Sequence, residues 1–67
     1  MKPTETEQML LDWLRYFPLK DSQRLKIFLM ADTEEQMLNL MTFMSENKTA
    51  TADELMAKAV QITGGLK

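Results

Sequence analysis

Three times in this chain a threonine is followed three residues later by Glu or Gln, at Thr4 to Glu7, Thr33 to Gln36 and Thr51 to Glu54. Each time an apolar run with helical period comes next. This is the capping box: the threonine hydroxyl accepts from the amide of the third helical residue, whose side chain accepts from the threonine amide in return. One match is common by chance. Three, each ahead of the right period, commit most of the chain to helices and mark where they start.

The stops are as legible as the starts. The first helix, over 5–16, carries Met9, Leu10, Trp13, Leu14 and Phe17 at helical spacing and ends before Pro18, which lacks the N–H a continuing helix needs. A second, starting near Asp21, is expected to bury Leu25, Phe28 and Leu29, with Ile27 and Met30 to either side. The third follows Thr33 and ends near Asn47, in the left-handed conformation that asparagine tolerates. The fourth follows Thr51 and stops at Gly64-Gly65, where glycine supplies that conformation and Leu66 is expected to fold back onto the helix. Short connections favour helices packed against one another. The expected fold class is all-α, a compact bundle of four short helices in a single domain spanning 1–67.

A chain of 67 residues buries only about 60% of the surface its unfolded form exposes, so such domains usually lean on disulfides, metals or partners. With no cysteine and no histidine in the sequence, the first two are hard to supply. The missing cysteines fit a reducing compartment. The start MKPTETEQ has no signal-peptide apolar core, and the longest apolar run, Ile27 to Ala31, falls far short of the roughly 20 residues of a membrane span. A cytoplasmic location without a membrane partner is expected.

The same absences bear on catalysis. The commonest general base and the thiol nucleophile are missing, Ser22 and Ser45 have no elbow or lysine partner, and Gly64-Gly65 sits in no phosphate-loop pattern. The expectation is a protein that is not an enzyme, with no catalytic residues, no cofactor and no metal site. Asp32, Glu34 and Glu35 lack the spaced oxygen ligands and turn glycine of a calcium loop. They are read with Glu5, Glu7, Asp21, Asp53 and Glu54 as charges that helix dipoles favour at N-termini.

A formal net charge of -2 argues against a general nucleic-acid coat. Lys20 and Arg24 stand out, because they lie four apart at a helix start, where positive charge opposes the dipole. Pairing with Asp21, Asp12 or the acidic starts of other helices accounts for them, or else an acidic partner surface or a phosphate backbone does. The segment LNLMTFMSENKTATADELMAKAVQI resembles the opening of a winged helix-turn-helix domain, in which a helix ends in a short polar turn and a Thr-x-x-Glu-Leu cap starts the next. That resemblance implies a DNA-associated regulator as the alternative reading. The recognition helix would follow where this sequence ends, so no DNA-contacting residue is carried over, and the fourth helix offers only Lys58 toward a phosphate.

The stretch MLNLMTFM, Met37 to Met44, asks what so much soft apolar surface is for. Met37, Leu38, Leu40, Met41 and Met44 form one stripe, with Phe43 on its flank; on the first helix Leu11 lies away from the Met9, Trp13 and Phe17 seam. Both apolar arcs are wider than a surface helix needs. Methionine fills irregular gaps in cores and also suits adaptable binding surfaces. The expectation is therefore core for the most part, with an apolar remainder that binds a protein partner, a second copy in a homodimer being the first. Leu11 and Phe43 are the apolar contact candidates, Lys20 and Arg24 the charged ones, while Met37 and Met41 point inward. Such a chain suits a small non-catalytic accessory factor, of the type that phages and mobile elements encode to modulate a larger machine.

Overall fold

A computed structural model describes residues 3–65, folded into α1 (Glu5–Tyr16), α2 (Asp21–Met30), α3 (Glu34–Glu46) and α4 (Ala52–Thr63). All three capping boxes close. The hydroxyls of Thr4, Thr33 and Thr51 accept from the amides of Glu7, Gln36 and Glu54 at 3.1, 3.2 and 3.2 Å. The reciprocal bonds from the threonine amides to those side chains are also made. α2 has half a box: the Lys20 amide donates to Gln23 Oε1 at 2.9 Å, but a lysine side chain has no lone pair with which to accept in return.

At the far end of α4, Gly64 takes φ +82° and its amide donates to the Val60 carbonyl at 2.7 Å. The left-handed turn expected there is present. Asn47 differs: it ends α3 at φ -133°, and its side-chain amide donates to the Phe43 carbonyl at 3.0 Å. That bond satisfies an orphan carbonyl without a left-handed residue. The expected contact of Leu66 lies outside the described residues.

The helices close a ring. α1 packs on α3 and α2, and α4 packs on the same two, while α2 and α3, consecutive in the chain, sit on a diagonal. The Cα radius of gyration is 10.6 Å, against roughly 11 Å for a compact domain of this length. Every helix contributes to one core: Leu10 and Leu14 from α1, Ile27 from α2, Leu40 and Met44 from α3, and Leu55 from α4 are each fully buried. Complete burial of such a side chain is worth about 1.5–3 kcal/mol, which makes this group the main determinant of the fold.

Four expected core positions are instead on the surface. Leu25 and Leu29 are 58% and 55% exposed, and Met9 and Leu38 are about half exposed, whereas Ile27, Met30 and Ala31 fill the α2 face expected to hold the two leucines. Only Phe28 of the expected α2 trio packs against the core, and it does so part-buried. The reason lies at the two ends of α2. Leu19 before it and Ala31 after it are buried, and Arg24 Nη2 donates to the Leu19 carbonyl at 2.8 Å. Turning the helix to bury Leu25 and Leu29 would bring Ile27 into solvent and withdraw Arg24 from that carbonyl.

Candidate functional site

The rotation of α2 creates the most unusual surface of the molecule. At about 100° per residue, Leu25 and Leu29 lie roughly 160° from Ile27 on either side, so both point directly away from the core. They are four apart and form a short ridge. α2 is thus apolar on two opposite sides, one used by the bundle and one unused.

A concave counterpart lies on α1. Met9, Asp12, Trp13 and Tyr16, with Lys48 from the turn after α3, line an open groove of about 440 Å³. Tyr16 is exposed but well positioned. Its ring stands edge-on to Trp13 at 6.2 Å and to the buried Phe17 at 5.3 Å between centroids, both favourable aromatic geometries. Asp12 accepts from Gln8 Nε2 at 3.2 Å. One acid and one base therefore border an aromatic floor.

The residues singled out from sequence fall elsewhere on the surface. Leu11 is half-buried, on the flank of α1 opposite Met9. Phe43 is half-buried and packs against the core. It lines a smaller groove, of about 290 Å³, with Asn39, Thr42, Glu46, Lys58 and Ile62. Lys58 Nζ stands 5.5 Å from the Phe43 ring centroid, so the one α4 cation is engaged with an aromatic face of its own chain.

Lys20 is exposed. Arg24 has two internal partners, Asp21 Oδ1 at 2.7 Å and the Leu19 carbonyl, and its Nε is buried without a hydrogen-bond partner among the described residues. The Asp21 pair accounts for a positive charge at a helix start, although Asp21 is almost wholly exposed and such a pair is worth at most about 1 kcal/mol. The bond to the Leu19 carbonyl is the stronger structural role, since it fixes the loop between α1 and α2.

Helical periodicity hides the ridge and the groove for a common reason, since it counts Leu25, Leu29 and Met9 toward the core. The sequence does carry a signal for Met9: Asp12 and Tyr16 share its side of α1, and a carboxylate rarely lies inside a core arc. Among the described residues no group of three or more His, Cys, Asp or Glu side chains is placed to hold a metal ion, and no helix is long and apolar enough to cross a membrane. No protein-family model matches the chain, and no curated protein or solved structure compared with it does either. What the geometry defines is a small all-α bundle with a leucine ridge and an aromatic groove.

Proposed function

We propose that the protein is a non-catalytic binding module, an accessory factor of the cytoplasm, that engages a protein partner through the outward apolar surface of α1 and α2. The single observation that carries this reading is the second apolar face of α2, where Leu25 and Leu29 are each more than half exposed. Helix propensity does not account for them, because lysine or glutamine would sustain the helix nearly as well as leucine. Two large apolar side chains held together in water favour burial against something else.

The groove supports the same reading from the concave side. Trp and Tyr dominate the energetics of protein interfaces, and here both are held in place by neighbouring rings. A second copy is the partner the chain itself provides, because it carries both a convex ridge and a groove, and a net charge of -2 does little to keep copies apart. Leu11 and Phe43 would contribute at the margins of such a contact, being already half covered.

Sedimentation from low to high micromolar concentration tests this. The wild type should grow heavier with concentration, and a Leu25→Ser/Leu29→Ser chain should stay monomeric while keeping its helical circular dichroism. A wild type that stays monomeric throughout would remove the second copy as partner.

A further inference from the structure

We propose that Met9 is the most peroxide-sensitive methionine among the described residues, and that its conversion to the sulfoxide closes the α1 groove to a second copy of the chain. The sequence holds seven methionines, and those within the described residues divide sharply by exposure. Met44, Met30, Met41 and Met37 are 0%, 3%, 6% and 8% exposed, whereas Met9 is 52% exposed. Met56 is part-buried and packs against the core. Oxidation of a thioether by a peroxide needs the oxidant to reach sulfur, so accessibility sets the order of reaction. Met9 is the most exposed of this group in the folded state, and the four core methionines are the most protected.

The step is self-contained. A lone pair of the Met9 sulfur attacks one oxygen of hydrogen peroxide, an S–O bond forms and the O–O bond breaks. The departing hydroxide takes up the remaining proton and leaves as water. Sulfur is oxidised by two electrons and the peroxide is reduced by two. The product is a polar, chiral side chain with a strong acceptor oxygen where an apolar one stood.

The consequences differ by position. On Met44, fully enclosed among core side chains, a sulfoxide would disrupt the bundle. On Met9 the oxygen can point to water and the monomer has no reason to unfold. Its effect falls on the groove that Met9 shares with Trp13 and Tyr16, where a docking partner would trap the new acceptor away from water. That part of the inference rests on the docking reading; the selectivity for Met9 does not.

Treatment of the intact protein with hydrogen peroxide, followed in time by fragment-ion mass spectrometry that separates Met9 from Met1, tests the site. Met9 should gain one oxygen at least about tenfold faster than Met30, Met37, Met41 or Met44, as expected for an exposed against a protected sulfur. The circular dichroism of that singly oxidised species should be unchanged. Equal rates, or loss of helicity once Met9 alone is oxidised, would overturn the assignment. Sedimentation then tests the consequence. Oxidation at Met9 should weaken association by about tenfold or more, the effect of one buried acceptor left unpaired, whereas the association of Met9→Leu, at whatever strength the substitution sets, should be the same before and after peroxide. Undiminished association of the Met9-oxidised chain overturns the closing of the groove. A wild type that never associates overturns the docking reading and the closing with it, while the rate ratio still decides the site.

Discussion

Ile27 and Leu29 are two residues apart in sequence and on opposite sides of α2, so truncating each to alanine measures the rotation of that helix directly. Ile27 is fully buried, and its loss removes transfer energy and leaves a cavity, together about 2–5 kcal/mol. A domain of this length has a total stability of roughly 3–10 kcal/mol, so Ile27→Ala should come close to unfolding it. Leu29 is 55% exposed. Less than half of its surface leaves water on folding, which caps its contribution near 1 kcal/mol, and alanine recovers a few tenths through helix propensity. The expected gap between the two variants is about 2 kcal/mol or more in urea melts followed by circular dichroism at a few micromolar protein. Repeating the melts at high concentration adds the functional test. Association stabilises the wild type and Ile27→Ala but not a chain whose ridge is cut, so the gap should narrow. Equal cost at the lowest concentration would show that α2 is rotated from its described position. A gap indifferent to concentration would take α2 out of any interface between copies.

The capping boxes predict that Thr33→Ala and Thr51→Ala each cost about 0.5–2 kcal/mol in the same melts; melts unmoved by both would contradict the bonds to Gln36 and Glu54. Gly64→Ala should cost about 1 kcal/mol through backbone strain alone, because φ is +82° and an added Cβ would meet nothing within 4 Å. Lys20→Glu and Arg24→Glu should part company. The first places a favourable charge at a helix start and is expected to be neutral or stabilising by about 0.3–1 kcal/mol, while the second loses the bond to the Leu19 carbonyl and should destabilise. The unmodified chain should form no salt-dependent complex with duplex DNA near physiological ionic strength, and a tight, sequence-selective complex in a mobility-shift titration would favour the regulator reading.

The helices were legible because their signals are local. A capping box needs four consecutive residues, Pro18 and Gly64 act on their own backbone, and Glu5–Tyr16 and Asp21–Met30 begin where the pattern said they would. The phase of α2 was not legible, because its sequence offers two apolar sides of similar strength and the choice between them is made by tertiary contacts. Leu19, Ala31 and the carbonyl that Arg24 reaches decide it, and none of these is visible in a helical projection of DSQRLKIFLM. The groove was hidden for a related reason. Periodicity puts Met9 and Trp13 on the side of α1 that also holds Leu10, Leu14 and Phe17, but how far burial extends around that arc depends on where α3 and the turn bearing Lys48 approach. The interior of the methionine-rich helix, by contrast, was legible in spacing for most of its stripe: Met37, Leu40, Met41 and Met44 are buried, and Leu38, at the edge of that arc, is about half exposed.

A ring of four short helices encloses little volume, and the sequence is 45% hydrophobic, so some apolar side chains are bound to remain outside. Exposure by itself therefore says nothing about function; arrangement does. Leu38 and Val60 are the only large apolar residues of α3 and α4 that are about half exposed, one on each helix, and isolated cases of this kind are ordinary on any protein surface. Leu25 with Leu29, and the exposed Met9 and Tyr16 with the part-buried Trp13 between them, are grouped at spacings of three or four residues, so each set makes one continuous face. Scatter from an overfull core has no reason to select that spacing twice, on two helices that pack side by side. The proposed partner surface would favour it, because each added apolar neighbour enlarges the area removed from water at the same contact.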